Sequence, residues 1–286
     1  GDEETEMATT QDLVNHHKDL LDADYALNYD GGGGTLEEDG KARTYSLQTA
    51  EKTYADYEIT VHNPGGHSSW PRPDNAIYQL ADALKKVQAY RFPTMWNDTT
   101  LAEFRAEGKV APGELGKAMT DFAANPRDES AVERLTRDTS QIGRTRTTCV
   151  ATMLRGGHAK NALPQSATAN INCRIFPGVA IEDVRKTLQE QVGPGAEVTT
   201  TDHPTASDAS PLRADVMEAV TRAIHKIHPG VQVVPNQASG ASDGLYFRAA
   251  GIPTYGVGGM FIKDSDSFAH GLNERVPVKG FYDGLD

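Results

Sequence analysis

Apolar positions recur along this chain with two periods. Leu13, Val14, Leu20 and Leu21 fall at helical spacing and predict a helix over about residues 7–21. A short strand follows over 24–30 and runs into the four glycines 31–34. Residues 44–47 and 53–62 read as strands. The second alternates Tyr57, Ile59 and Val61 with more polar neighbours, the mark of a sheet with one covered face. Asn63-Pro64-Gly65-Gly66 is a turn. Ile77, Leu80, Ala81, Leu84 and Val87 then predict the buried stripe of a helix over 75–88.

Residues 92–141 are polar, charged and mainly helical, with apolar faces at Leu101, Phe104, Met119, Phe122, Val132 and Leu135. Strands are expected over 145–154 and 166–175, a helix over 181–191 and a strand over 197–201. An α/β rhythm closes the chain. It comprises a helix over 212–228, a strand over 231–234 ending before Pro235, a helix over 244–250 and a strand over 252–257.

Without its helical insertion, the stretch from Thr53 to about Asp202 reads βαββαβ, the ferredoxin-like plan. If the loop between the two middle strands centres on Asn161, Cys149 and Cys173 lie 12 residues on either side and become cross-strand neighbours. Two cysteines make neither a disulfide scaffold nor a cysteine zinc site, and buried free thiols are the expectation.

The length of 286 residues suits two domains, and 38% hydrophobic with 24% charged residues suits a globular chain. A net charge of −12 argues against nucleic acid and anionic membrane as partners. No apolar run reaches the roughly 18 residues that span a bilayer. The compartment stays open between cytoplasmic and exported.

Candidate chemistry begins at Gly1-Asp2-Glu3-Glu4. Adjacent glutamates point apart, so one can ligate a metal while the other handles a proton; an acidic helix start would read the same way. Asp30 stands at a strand end, where ligands of α/β folds gather, but a turn aspartate would stand there too. The glycines 31–34 lack the lysine and hydroxyl of a phosphate loop. His67 follows a glycine turn and is presented by backbone rather than buried in a stripe. Ser242 and Asp243 are candidate helix caps, and His270 sits beside glycine in a loop.

Taken in order, these pieces resemble the co-catalytic dizinc metallopeptidase family of aminoacylases, glutamate carboxypeptidases and succinyl-diaminopimelate desuccinylases. The matching stretches are Gly1-Asp2-Glu3-Glu4, Asp30-Gly31-Gly32, Gly65-Gly66-His67-Ser68-Ser69, Asn161-Ala162-Leu163-Pro164 and Asn172-Cys173-Arg174. Ser242-Asp243 and His270-Gly271-Leu272-Asn273-Glu274-Arg275 complete the set, and the carboxypeptidase-like branch is nearest.

The resemblance implies an α/β fold: a partial zinc-exopeptidase catalytic domain over 1–50 and 205–286, with an inserted ferredoxin-like α+β lid and dimerisation domain over 51–204. The helical insertion, about 92–143, is assigned to that lid. Glu3 matches the general base. Glu4, Asp30 and His270 match metal ligands. His67 matches a lid histidine that steadies the oxyanion, often across the dimer, and Asn161 and Arg174 match lid residues that hold substrate. The implied cofactor is zinc, two per complete site, with cobalt or manganese as substitutes. The implied substrate is a peptide or N-acyl amino acid, and the implied assembly a homodimer through the lid. The family's first metal motif and bridging aspartate precede the double glutamate, and nothing precedes it here. The expectation is therefore that this polypeptide alone binds zinc poorly and is inactive while the complete enzyme is active. The alternative is a non-catalytic dimerisation or binding module of the same fold.

Overall fold

A computed structural model describes residues 8–111, 113–268 and 272–285. In chain order the first elements are α1 (Ala8–His16), β1 (Ala26–Asn28), β2 (Gly33–Leu36), β3 (Ala42–Glu51), β4 (Thr53–His62), β5 (Gly66–His67) and α2 (Ala76–Ala89). Next come α3 (Asp98–Glu107), α4 (Gly113–Ala124), α5 (Glu129–Arg137), β6 (Thr148–Gly156), β7 (Ala162–Leu163) and β8 (Ser166–Ile175). The chain continues through α6 (Ile181–Val192), β9 (Glu197–Thr201), α7 (Ala214–Ile227), β10 (Gln232–Ala238), α8 (Gly244–Ala249), β11 (Thr254–Gly256), β12 (Phe261–Lys263) and α9 (Val278–Asp283). It divides into two units. One comprises Gly1–Lys52, Trp96–Thr145 and Ser207–Asp286, the other Thr53–Met95 and Arg146–Ala206.

The second unit follows from alternation. β4 buries Ala55, Tyr57, Ile59 and Val61, and β8 buries Ala167, Ala169, Ile171, Cys173 and Ile175. Period-two burial puts these on one face, where α2 (Ala76, Leu80, Ala83, Val87) and α6 (Val184, Leu188, Val192) close a single core. The antiparallel strands run β6-β8-β4-β9, the ferredoxin-like order. The Tyr57 hydroxyl donates to the Ile181 carbonyl at 2.9 Å and ties sheet to helix. Of the stripe expected in α2, Leu80 and Val87 are buried in this core and Leu84 packs against it, whereas Ile77 and Ala81 are exposed. Ala76 and Ala83 complete the buried stripe, while Ile77 is 40% exposed. A Cβ on Gly156 of β6 would lie 3.4 Å from the Ile77 side chain, so Ile77 faces the sheet's edge strand instead of the core.

Cys149 and Cys173 pair in register across β6 and β8, as their spacing predicts. The expectation of free thiols fails, because the two sulfurs form a disulfide. Direct cross-strand pairing, with Cα atoms 4.1 Å apart, places both side chains on one face within bonding reach.

In the first unit β3 is the central strand. β10 runs parallel along one side of it, and β2 and β11 pair antiparallel on the other. β12 extends β2 and β1 extends β11. α7 lays Val216, Met217, Val220 and Ile224 against Leu47, Tyr45, Tyr255 and Phe261. β10 does not stop before Pro235 but continues to Ala238. Among the described residues β10 pairs with β3 alone, and a strand with one neighbour tolerates the missing N–H of proline.

The helical insertion differs in placement from its sequence reading. Residues 96–145 pack within the first unit, not within the lid. α3, α4 and α5 close their own core around Phe104, Met119, Phe122 and Leu135. Polar contacts bind that bundle to β3 and β10. The Asn236 amide donates to Glu103 at 2.5 Å, the Asn97 amide donates to Gln237 at 2.8 Å, and the Thr49 and Thr99 hydroxyls bond at 2.7 Å. Arg144 reaches the buried Glu103 at 2.9 Å while stacking on Phe104 at 4.4 Å.

Candidate active site

In the first unit, β1 delivers Asp30 to the mouth of an open cleft of about 620 Å³. The cleft is lined by the glycines 31–34, Ser46, Gln48, Asn236 and Ser242, with Lys263 and Asp264 at one side. Glycine is required here on two counts. Gly32 has φ +76°, and a Cβ on it would lie 2.3 Å from the Gly256 carbonyl oxygen. Asp30 is exposed, and its backbone N–H donates to the Asn28 carboxamide oxygen at 3.0 Å.

Behind the cleft lies a network that sequence reasoning missed. Glu51, at the end of β3, and Arg248, on α8, are both buried and approach to 2.7 Å. That approach is an ion-pair contact outside hydrogen-bond angles. Ser242 donates to the other Glu51 oxygen at 2.7 Å and Gln48 donates to it at 2.9 Å. Desolvation pushes the Glu51 carboxyl up and the Arg248 guanidinium down, each opposed by the charge of the other. Ser242 does accept the Gly244 amide at 3.2 Å, as a cap would, whereas Asp243 instead takes the Thr10 hydroxyl of α1 at 2.6 Å. The available signal for the network was a Glu-Lys pair embedded in a buried strand end.

In the second unit, His67 and Asn161 come together. β5 and β7 pair His67 with Ala162, and the Ser68 amide donates to the Asn161 carbonyl at 3.0 Å. The Ser69 backbone N–H donates to Nδ1 of His67 at 3.2 Å, and the Ser69 hydroxyl contacts the same nitrogen at 2.7 Å. A nitrogen that accepts from a backbone amide carries no proton in the neutral ring. The exposed imidazole therefore presents Nε2–H as a donor.

Arg174 lies elsewhere. It pairs with Tyr54 in β4, whereas Ser166, eight residues away on the same strand, pairs with His62. Eight residues of antiparallel strand span roughly 27 Å, so Arg174 sits at the opposite end of the sheet from the His67–Asn161 ribbon. Its guanidinium stacks 4.7 Å from the Tyr54 ring, beside Asp56. Desolvation raises the Asp56 carboxyl, but the Tyr54, Asn172 and Asn170 hydrogen bonds and the Arg174 charge outweigh it and hold the group below its ordinary value. The hydrogen bond to Asp56, with desolvation, pushes the Tyr54 phenol up to about 12.

Glu3, Glu4 and His270 lie outside the described residues. Among the described residues no group of three or more His, Cys, Asp or Glu side chains converges on a metal position. Of the implied donors, Asp30 alone is described, and its exposed carboxylate at a cleft mouth has the oxygen chemistry a zinc ligand needs.

Residues 49–200 match the M20 peptidase dimerisation domain. The chain belongs to the M20 peptidase family, whose members are peptidases and related amide hydrolases. Similar proteins include the N-fatty-acyl-amino acid synthase/hydrolase PM20D1 of Xenopus tropicalis, 26% identical over 80% of this chain and 45% of the relative. Carboxypeptidase S of Saccharomyces cerevisiae is 28% identical over 51% of this chain and 26% of its own length. Among solved structures, an M20 family metallo-carboxypeptidase from Sulfolobus solfataricus shares the fold with a TM-score of 0.59 at 19% identity, covering 96% of this chain and 64% of that one. The chain spans about half the length of the PM20D1 relatives it matches.

Proposed function

We propose that this chain belongs to a metal-dependent hydrolase that cleaves the amide bond of a peptide or an N-acyl amino acid in a carboxypeptidase-like manner. The observation that supports it most is the His67–Asn161 ribbon, which presents an Nε2–H donor with its tautomer fixed by Ser69. A donor pre-aimed at the oxygen of a breaking amide is worth about two to three orders of magnitude in rate. Glu3 takes the proton from the attacking water and returns it to the leaving amine. Glu4, Asp30 and His270 are the side chains that would hold zinc, and zinc bound there would supply a Lewis acid for water and carbonyl. Arg174 suits a free carboxylate on the substrate.

The distance between Arg174 and the His67 ribbon has a consequence for this reading. Arg174 and the ribbon lie at opposite ends of the sheet, eight residues or roughly 27 Å of strand apart, which supports a reading in which one chain's Arg174 and His67 serve different sites. A twofold dimer resolves this, with His67 and Asn161 of one protomer completing the site of the other. The edge strand β6 suits such pairing. Among the described residues it pairs on one side only, with β8, and it exposes Val150, Met153 and Leu154. No helix of the described residues is long and apolar enough to cross a membrane.

The test is hydrolysis of a panel of N-acyl amino acids and C-terminally free dipeptides by protein expressed at the length of its family relatives. Turnover abolished by Glu3→Gln and lowered at least about a hundredfold by His67→Ala supports the reading. No turnover of any amide, with the dimer intact, would favour a non-catalytic module.

A further inference from the structure

We propose that the buried Glu51–Arg248 pair, acting through Ser242 and Asn28, is a positioning device that fixes Asp30 at the mouth of the glycine cleft. The proposal rests on the reading of Asp30 as a metal ligand.

The contacts form one continuous chain. The Asp30 amide donates to the Asn28 carboxamide oxygen at 3.0 Å, and the Asn28 amide nitrogen donates to Ser242 Oγ at 3.2 Å. Ser242 Oγ donates onward to Glu51 Oε2 at 2.7 Å, and Arg248 holds Glu51 Oε1 at 2.7 Å. Each donor points towards Glu51, so the fixed negative charge sets the sense of every link. A second arm braces the same loop. Gln48 donates to Glu51 at 2.9 Å, and its carboxamide lies so near Gly31 that a Cβ there would meet it at 2.3 Å.

Arg248 is itself anchored, donating to the Thr254 carbonyl at 3.1 Å at the start of β11. That strand pairs β1, which carries Asn28 and leads to Asp30. Stability alone does not call for this arrangement. Desolvation cancels most of the attraction in a buried ion pair, and an apolar pair of similar volume holds a helix to a strand as well. What an apolar pair lacks is a directed acceptor. Without it the Ser242 hydroxyl could turn away from Asn28, and the Asp30 amide would lose its fixed partner.

Ser242→Ala cuts the relay while leaving Arg248 and Gln48 on Glu51, and Ser242→Thr restores the hydroxyl. Two readouts apply, both on protein expressed at the length of its family relatives: amide hydrogen exchange at Asp30, and calorimetric titration of the metal-free protein with Zn²⁺. The proposal expects the alanine variant to exchange about tenfold faster at Asp30 and to bind zinc about tenfold more weakly, with both restored by threonine. A lowered melting temperature with unchanged exchange at Asp30 would overturn it, leaving the pair a purely structural tie. Should Ser242→Ala fail to fold, Asn28→Ala severs the relay at its outer end without touching the ion pair, and the same exchange outcomes apply. Asp30→Asn separates the two readings. Unchanged zinc affinity in that variant removes Asp30 from the metal site, while the exchange result still decides the relay.

Discussion

The Cys149–Cys173 disulfide closes a loop of sequence separation 24 and joins the edge strand β6 to the interior strand β8. Constraining the unfolded chain over a loop of that length stabilises the fold by about 3.5 kcal/mol in the chain-entropy estimate. Because Cys173 lies in the sheet–helix core, the gain should register in the second unit. Amide exchange reads it residue by residue. Core amides of β8, such as that of Ile171, should lose about 3.5 kcal/mol of protection when reductant is added. Cys149→Ala/Cys173→Ala should show the same loss in protection and no further response to reductant, plus a small term for lost packing. Thiol titration of the denatured, unreduced protein should find none of the chain's two cysteines free. Two titratable thiols, or exchange in β8 indifferent to reductant, would refute the reasoning.

Other outcomes follow from single contacts. Gly32→Ala should destabilise the first unit by more than about 2 kcal/mol, since it combines a positive φ with a clash on the Gly256 carbonyl; chemical denaturation measures it. Ile59→Ala, in the fully buried core of the second unit, should cost about 3–4 kcal/mol by the same measurement. Asp56 has a folded pKa below its unfolded 3.8, so its contribution is present above that value and lost as pH falls through the folded pKa. Acid unfolding of wild type and Asp56→Asn should therefore differ near neutrality and converge at low pH. Leu154→Glu, on the exposed edge of β6, should weaken self-association in sedimentation without unfolding the monomer.

Much of the lid was legible because its strands carry strict alternation. The limits of β4, β8 and β9 match the expected 53–62, 166–175 and 197–201 to the residue. The helix α2 was legible in extent and in its Leu80, Leu84 and Val87 stripe, but Ala76 and Ala83 were not, because alanines bury as readily as larger side chains yet carry no periodic signal. Pro235 misled because a proline stops a strand only where a neighbouring strand needs its missing N–H, and among the described residues β10 has one neighbour. The helical bundle's attachment depends on Glu103, Asn236 and Asn97, polar residues whose partners are more than 100 positions away and which no local pattern connects. The candidate site residues could be read only as isolated motifs. That His67 and Asn161 share a ribbon and Arg174 does not is a matter of strand register, which appears only once β4 and β8 are paired.

The central claim is that each site draws its proton-handling residue from one protomer and its oxyanion donor from the other. Mixed dimers test it most directly, using protein expressed at the length of its family relatives. Glu3→Gln and His67→Ala chains, each inactive alone, are unfolded together, refolded and assayed for amide hydrolysis. If His67 serves the partner, half of the dimers are mixed and each holds one intact site, so activity returns to roughly one quarter of the wild-type level. If His67 serves its own chain, no mixed dimer contains an intact site and the mixture stays inactive, which would contradict the account.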